Sequence, residues 1–110
     1  MLGVRESNMK LTLSILIPTY NRAECLDECL GAIAKDPAFA DGTEVELVVS
    51  DNCSTDDTER VCRRYERLFG EKMKYVRQVR NIGPSDNFTY LLRAEEGGVL
   101  KVLTDKVFLM

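Results

Sequence analysis

The alternation of short apolar runs with amphipathic segments is the feature that most constrains the fold of this 110-residue chain. The run LTLSILIP, residues 11–18, is too continuously apolar for a half-exposed strand, so it predicts a strand buried on both faces. VELVVS at 45–50 has the same character, and further runs follow at 72–79 and 99–104. Four such strands separated by helical patterns predict an α/β fold: a mostly parallel sheet with helices on both faces, in three layers.

The segments between the runs carry helical periodicity, which predicts one helix after each of the first three strands. The residues expected to form the buried stripes are, in chain order, Leu26, Leu30 and Ile33; Val61, Tyr65 and Leu68; and Phe88, Leu91 and Leu92. Ser54 and Asp57 match a capping box, which predicts that Ser54 caps the second helix.

Charge and turn composition argue against several classes of protein. With 15 basic and 18 acidic side chains, the net charge of −3 provides no basic surface for a phosphate backbone, so nucleic acid is not the expected partner. The turn IPTYNRAEC, residues 17–25, contains no glycine, which argues against a dinucleotide-binding turn. Nothing in the chain matches a phosphate-binding P-loop either.

The cellular location follows from the distribution of apolar residues. No apolar run approaches the roughly 20 residues that a membrane helix needs. The first ten residues, MLGVRESNMK, lack the apolar stretch of a secretory signal, so the expected location is the cytoplasm.

The four cysteines, Cys25, Cys29, Cys53 and Cys62, are expected to be free thiols. A zinc site needs tight pairs of cysteine or histidine, and the chain contains no histidine. In a reducing compartment a free cysteine packs as a small apolar residue, so these side chains are expected to be buried.

Polar clusters follow the predicted strands at their carboxyl ends. PTYNR follows the first strand, DNCSTDD the second, RNIGPSDN the third and TD the fourth. In parallel sheets ligands bind outside these ends, so we expect the clusters to form a site. Tyr20 could stack on a nucleobase and Arg22 could bind phosphate, although a tyrosine after a strand is equally often a side chain at the edge of the core.

Four motifs in order resemble those of family-2 glycosyltransferases of the GT-A fold. LSILIPTYNRAECLDECLGAI is followed by VVSDNCSTDDT, then RNIG, then a strand ending in LTD. The family commonly shows S(V/I)IIPTYNR, then VVDDGSTDGT or VSDNxSTDGT, then NxG and a DxD motif. The resemblance extends from about Leu11 to Asp105. It implies that residues 11–110 form the nucleotide-sugar-binding half of a Rossmann-like GT-A domain, with residues 1–10 as an N-terminal extension.

The resemblance implies a set of donor-binding residues. They are Pro18, Thr19, Tyr20, Arg22, Asp51, Asn52, Arg80, Asn81, Gly83 and Asp105. In this assignment Tyr20 lies against the base, and Asp51 and Asn52 occupy the positions of an acid pair that binds the base. Asp105 would be the first acid of the DxD motif, near the ribose and a metal-bound diphosphate. The implied cofactor is a divalent Mg or Mn ion, held by Asp105.

Two positions depart from the family pattern. Asn52 stands where many members have a second aspartate, which leaves the identity of the base open. Asp105 is followed by Lys106 and Val107, so the DxD motif is incomplete and valine cannot bind a metal. Asp105 could bind the ion with ligands from elsewhere, Lys106 could partly replace its charge, or the metal site could be degenerate.

The function implied by the resemblance is an inverting transfer of a sugar from a nucleotide diphosphate-sugar. The acceptor is unidentified, with a polysaccharide or a lipid-linked glycan as candidates, and the protein could lie at the inner face of the membrane. Domains of the family are more than twice this length, so we expect a truncated domain. Its catalytic base would lie beyond the chain end, and its open sheet edge could promote self-association.

Two alternatives belong to other classes of protein. The chain could be a catalytically incomplete nucleotide-binding or interaction module of the same fold, as the incomplete DxD motif suggests. It could also be a flavodoxin-like or receiver-like regulator with acids at its strand ends. The PTYNR segment has no role in such a regulator, which makes this the weaker alternative.

Overall fold

The computed structural model describes residues 13–37, 39, 45–94 and 99–102. The elements are β1 (Leu13–Thr19), α1 (Ala23–Ala34), β2 (Val45–Asp51), α2 (Thr58–Phe69), a 3₁₀ turn (Gly70–Lys72), β3 (Met73–Arg77), α3 (Pro84–Ala94) and β4 (Val99–Val102). This order confirms the predicted alternation of strands and helices. Within the described ranges, no helix combines the length and apolar character needed to cross a membrane.

The described strands form a parallel sheet in the order β3-β2-β1-β4. β1 pairs with β2 along its whole length, from Leu13 opposite Val45 to Thr19 opposite Asp51. The carboxyl ends of the strands therefore share one edge of the sheet. After β3, the chain returns past β2 and β1 to add β4 on the other side, so the strand order reverses at β1.

Helices cover both faces of the sheet, as predicted. Ile17 and Val49 point to the face covered by α1 and α2, where they pack in a core with Leu26. Leu16 and Val48, their neighbours in sequence, point to the opposite face and pack against α3. The molecule thus has three layers, with β1 and β2 buried from both sides as the continuous apolar runs require.

The stripe prediction is confirmed for α1, where Leu26, Leu30 and Ile33 are all buried, and is wrong at one position of α2. Leu68 is 65% exposed. Phe69 takes its place in the stripe, because its ring lies 5.0 Å from the Phe39 ring, centroid to centroid. A spacing of four residues from Tyr65 therefore determines the buried face at the end of this helix.

The third helix and third strand depart from the prediction in a related way. Leu91 is fully buried, but Phe88 and Leu92 are each 38% exposed, because the polar side chain of Asn87 faces the sheet one turn before Leu91. β3 ends at Arg77, two residues before the predicted end, and Val79 is exposed. The last two residues of the predicted fourth strand lie outside the described ranges.

The burial of the cysteines agrees with prediction at two of the four positions. Cys29 and Cys62 are buried free thiols, whereas Cys25 and Cys53 are partly exposed. Burial, with a smaller contribution from the charge of Asp51, raises the pKa of Cys62 well above its usual range. Cys62 therefore stays protonated and acts as a small apolar side chain.

Candidate functional site

A cleft of about 550 Å³ lies at the carboxyl edge of the sheet, between the end of β1 and the start of α3. It is lined by Pro18, Thr19, Tyr20, Arg22, Asn52, Asn81, Pro84 and Asn87. Its volume falls in the range of small-molecule sites. The cleft adjoins β1, where the strand order reverses, and that is the position at which open α/β sheets bind their ligands.

The cleft collects many of the residues predicted from sequence, and excludes others. The predicted residues that line it are Pro18, Thr19, Tyr20, Arg22, Asn52 and Asn81. Asp51 is buried beneath it, Arg80 is exposed, and Gly83 lies in the turn before α3. The predicted metal ligand Asp105 is outside the described residues.

Pro84 and Asn87 line the cleft but were not among the predicted site residues. Both belong to the first turn of α3, which begins at Pro84. A proline at the first helical position, here within the stretch RNIGPSDN, is a helix-start signal that could have indicated them.

Tyr20 and Arg22 bring an aromatic ring and a positive charge to the mouth of the cleft. Tyr20 directly follows β1, and its side chain is 43% exposed. The backbone between them turns sharply, because Asn21 adopts a left-handed conformation with φ of 51°. A half-exposed ring beside a guanidinium can hold a flat aromatic ligand that carries negative charge.

Two side-chain amides in the cleft are held in one orientation by backbone N–H groups. The Ile82 N–H donates to Asn52 Oδ1 at 2.8 Å, and the Gly83 N–H donates to Asn81 Oδ1 at 2.8 Å. Because each oxygen must face its N–H donor, Asn52 Nδ2 is left to donate to Asn81 Oδ1, at 3.0 Å. The pair thus ties the end of β2 to the turn before α3.

The amide pair leaves one donor group available. Asn81 Oδ1 accepts two hydrogen bonds, while Asn81 Nδ2 makes none with any residue in the described part of the chain. Asn81 is exposed at the cleft wall. Its NH₂ group can therefore donate to a carbonyl or phosphate oxygen of a bound molecule.

A buried polar network anchors α3 to β2 beneath the cleft. The Ser50 hydroxyl donates to Asn87 Oδ1 at 2.5 Å, and Asn87 Nδ2 donates to the Ser50 carbonyl at 3.0 Å. Gln78 Nε2 donates to the Ser50 hydroxyl at 3.0 Å. Because Asn87 is almost fully buried, these bonds fix the first turn of α3 and with it one wall of the cleft.

Asp51 is fully buried, and both oxygens of its carboxylate have partners within the protein. Oδ1 accepts from the Ser54 N–H at 2.9 Å and from the Ser54 hydroxyl at 2.6 Å. Oδ2 accepts from the Tyr75 hydroxyl at 2.6 Å. Burial, and then the bond to Asp51, raises the pKa of Tyr75, so its hydroxyl stays a donor. This geometry makes Asp51 an anchor of the loop after β2.

The prediction that Ser54 caps the second helix is wrong. α2 begins at Thr58, and the Ser54 hydroxyl is turned away from it toward Asp51. Asp56 instead accepts the Thr58 N–H at 2.9 Å and the Ala23 N–H at 3.2 Å, so one carboxylate serves the first turns of α2 and α1. Burial alone would raise the pKa of Asp56, but the hydrogen bonds from Thr58 and Ala23 lower it below its usual range.

The described part of the cleft does not by itself fit a divalent ion. Its polar groups are amides, hydroxyls and a guanidinium, whereas Mg²⁺ and Mn²⁺ favour carboxylate ligands. Across the residues that the structure describes, no group of three or more aspartate, glutamate, cysteine or histidine side chains could hold a metal.

Comparison with known sequences identifies a family. Residues 14–105 match Glycosyl transferase family 2. Abequosyltransferase RfbV of Salmonella typhimurium is 37% identical over 78 residues, which cover 71% of this chain and 23% of that protein. The validoxylamine A glucosyltransferase of Streptomyces hygroscopicus subsp. jinggangensis is 47% identical over 66 residues, covering 60% of this chain and 15% of that protein. This chain thus spans less than a quarter of either relative.

Solved structures agree with the sequence comparison. The mannosyltransferase PcManGT from Pyrobaculum calidifontis, in complex with GDP-Man and Mn²⁺, superposes with a TM-score of 0.76 at 25% identity, covering 87% of this chain and 28% of that chain. S. aureus TarS residues 1–349, in complex with UDP-GlcNAc, gives a TM-score of 0.72 at 28% identity, covering 86% and 26%. The fold is the Rossmann-like GT-A fold, as the sequence motifs implied.

Proposed function

The chain belongs to glycosyl transferase family 2, and on that premise we propose that it is the donor-binding part of a transferase that uses a nucleotide diphosphate-sugar. One observation carries the proposal. The cleft at the reversal of strand order combines a half-exposed aromatic ring, a guanidinium and an amide donor, from Tyr20, Arg22 and Asn81. These groups match the base, the diphosphate and the carbonyl edge of such a donor.

Each cleft residue has a separate role in the proposed complex. The Tyr20 ring stacks on the base, a contact that tolerates any base because all have a flat π face. Arg22 pairs with the diphosphate. Asn81 Nδ2 donates to an exocyclic carbonyl of the base. Uracil and guanine carry such a carbonyl, and adenine does not. Relatives of the same fold bind GDP-Man and UDP-GlcNAc, which supports uridine or guanosine donors.

We propose direct displacement as the reaction, which inverts the configuration at the sugar. An acceptor hydroxyl attacks the anomeric carbon, the bond to the diphosphate breaks, and a base takes the hydroxyl proton. The described residues that line the cleft include no carboxylate that could act as that base. Asp105 remains the proposed ligand of a Mg or Mn ion.

The acceptor is proposed to be a polysaccharide or a lipid-linked glycan. A relative in S. aureus, 31% identical over 87 residues, is named for its action on poly(ribitol-phosphate), which supports a polymeric acceptor. The names of the relatives include abequosyl, glucosyl and N-acetylglucosaminyl transfer, so members of this family differ in the sugar that they transfer.

A second candidate function is a nucleotide-binding or interaction module without transferase activity. The lining of the cleft favours it, since no described lining residue is a general base. The two functions differ in one measurement. Release of nucleoside diphosphate from a UDP- or GDP-sugar in the presence of a glycan acceptor supports the enzyme, and binding without release supports the module.

Calorimetric titration of UDP, GDP, CDP and ADP into the chain tests the proposed cleft. We expect UDP or GDP to bind more tightly than ADP, and Tyr20→Ala to weaken that binding by about 1–3 kcal/mol, the size of a base–aromatic stack. Phe88→Ala is the matched control, because Phe88 is similarly exposed but does not line the cleft. Unchanged affinity in Tyr20→Ala would remove Tyr20 from the site.

A further inference from the structure

We propose that Asn21, which does not line the cleft, is a positioning residue for Tyr20. It joins the loop between β1 and α1 to the loop between β2 and α2, and thereby holds the Tyr20 ring in its place at the cleft mouth. This inference rests on the proposed function of the cleft as a nucleotide site.

Asn21 makes hydrogen bonds to three successive residues of the second loop. Its Oδ1 accepts the Thr55 N–H at 2.7 Å and the Asp56 N–H at 3.3 Å. Its own backbone N–H donates to Ser54 Oγ at 2.8 Å. We call these three bonds the Asn21 clasp. They connect residues more than thirty positions apart in sequence, so the clasp fixes the two loops relative to each other.

The clasp is anchored in the core of the molecule. Ser54 Oγ, which accepts the Asn21 N–H, donates in turn to Asp51 Oδ1 at 2.6 Å. The other oxygen of the Asp51 carboxylate accepts from Tyr75 of β3 at 2.6 Å. The first loop is therefore tied through Ser54 to a fully buried carboxylate at the end of β2.

Tyr20 lies between two ties of this kind. On one side the Asn52 N–H donates to the Thr19 carbonyl at 2.9 Å, and on the other side is the Asn21 clasp. The Tyr20 hydroxyl has no hydrogen-bond partner among the residues that the structure describes. The position of its half-exposed ring therefore depends on the backbone of its neighbours. Losing the clasp leaves the chain fixed only on the Thr19 side of Tyr20.

The backbone of Asn21 limits which residues can form the clasp. Its φ of 51° lies in the left-handed region, which glycine, asparagine and aspartate tolerate best. The clasp also requires a short side chain with an acceptor oxygen. Asn21→Asp satisfies both conditions, whereas Asn21→Gly satisfies the backbone condition and lacks the acceptor.

The test compares these two variants in titrations of UDP and GDP into the 110-residue chain, with thermal unfolding recorded for each. We expect Asn21→Gly to weaken nucleotide binding about five- to tenfold, the effect of one or two hydrogen bonds, and Asn21→Asp to stay within about twofold of the wild type. Thr55→Ala is the control, because it keeps the Thr55 N–H and loses only a hydroxyl 3.4 Å from Asn21 Oδ1.

A double-mutant cycle shows whether Asn21 acts through Tyr20. In the Tyr20→Ala background, Asn21→Gly should change nucleotide affinity by no more than about twofold. The same weakening of about five- to tenfold in that background would overturn the proposal. Wild-type binding by Asn21→Gly, or weakening by Asn21→Asp equal to that of Asn21→Gly, would overturn it too.

Amide hydrogen exchange separates failure of the clasp from failure of the proposed function. Asn21→Gly should speed exchange of the Thr55 N–H, and Asn21→Asp should restore it. If the wild type binds no nucleotide, the proposed function fails. In that case unchanged Thr55 exchange in Asn21→Gly overturns the clasp, and faster exchange that Asn21→Asp restores supports it.

Discussion

Asp51 concentrates three hydrogen-bond donors on one buried carboxylate, from Ser54 and from Tyr75. Asp51→Asn replaces one acceptor oxygen with an NH₂ group, which then faces a donor. We expect the free energy of unfolding to fall by about 2–4 kcal/mol, because a buried donor is left unpaired. Urea denaturation measures this as a lower midpoint with an unchanged slope.

Tyr75→Phe is the companion substitution: it removes the donor to Asp51 Oδ2, leaves that buried oxygen without its described partner, and should cost about 1–3 kcal/mol. The sequence motifs implied that Asp51 binds the base. If Asp51→Asn leaves stability unchanged and abolishes nucleotide binding, the carboxylate acts on the ligand as the motifs implied, and its role as an anchor is refuted.

Cys53 adopts a left-handed backbone with φ of 65°, where the patterns of the family often have glycine. A non-glycine residue is destabilised by about 1–2 kcal/mol in this region. Glycine has no such strain, but its larger loss of chain entropy on folding costs about 0.5–1 kcal/mol. We therefore expect Cys53→Gly to raise the free energy of unfolding by about 0.5–1 kcal/mol. Cys53→Ala keeps the strain and should bring no gain; a loss of stability in Cys53→Gly would show that the thiol contributes packing.

At the scale of whole elements, the Asp56 carboxylate stabilises the first turns of two helices, α1 and α2. Its pKa is lowered in the folded state, so its contribution is present above the ordinary value of 3.8 and is lost as the pH falls through the lowered folded value. Asp56→Ala should reduce stability by about 1 kcal/mol near neutral pH. It should also flatten the loss of stability below about pH 4.

Unfolding measured between pH 2 and 7 tests this prediction about Asp56. The control is Asp57→Ala, because Asp57 is exposed and its carboxylate pairs with the exposed Arg60. Asp27, whose pKa is lowered chiefly by the Tyr65 hydroxyl, titrates in the same range in every variant. The difference between wild type and Asp56→Ala therefore isolates Asp56. An equal loss of unfolding free energy below about pH 4 in the two proteins would contradict its role.

Leu91 and Leu92, neighbours in α3, form a matched pair for testing how this helix packs on the sheet. Leu91 is fully buried against Leu16 and Val48, whereas Leu92 is 38% exposed. Leu91→Ala should cost about 2–4 kcal/mol of stability, and Leu92→Ala less than about 1 kcal/mol. Equal losses in urea denaturation would show that the two side chains share the contact with the sheet.

Periodicity predicted the elements well because burial of a strand or a helix face is a local pattern. It placed β1, α1 and β2, and it identified Leu26, Leu30 and Ile33 as buried. It wrongly chose Leu68 over Phe69, since both lie within one turn of the stripe. The choice depends on the Phe39 ring, which belongs to a distant segment.

The motifs predicted several residues that line the candidate cleft, but not the hydrogen bonds that hold those residues in place. The reason is again that a local pattern does not specify a distant partner. Strand ends and motifs indicated Tyr20 and Asn52, which adjacent parallel strands bring to one cleft. The bond between Ser50 and Asn87 and the Asn21 clasp join residues 33–37 positions apart in sequence. No local pattern specifies these partners. Ser54, which the pattern indicated as a helix cap, therefore joins two loops, and Asp51 makes three hydrogen bonds within the protein that the motifs did not indicate.

At the scale of the whole molecule, the cleft combines β1, the loop after β2, and α3, so a ligand bound there should stabilise all three. A nucleotide that binds only the folded chain adds about 2.7 kcal/mol at 100 times its dissociation constant, which corresponds to roughly 10 °C or more in melting temperature for a domain of this size. We expect UDP or GDP to produce such a shift, and Tyr20→Ala to reduce it at equal nucleotide concentration.

The dependence of that shift on manganese tests the proposed role of Asp105. The described cleft residues that would contact the base and the diphosphate are not carboxylates, so a shift should appear with UDP or GDP in the absence of metal. Manganese should increase the shift, because a divalent ion neutralises diphosphate charge. Asp105→Asn should remove the increase and leave the metal-free shift, while Lys106→Gln, next in sequence, should preserve both. A shift that requires manganese in every variant would instead show that the ion is the main contact of the diphosphate, and that Tyr20, Arg22 and Asn81 are insufficient to bind a nucleotide.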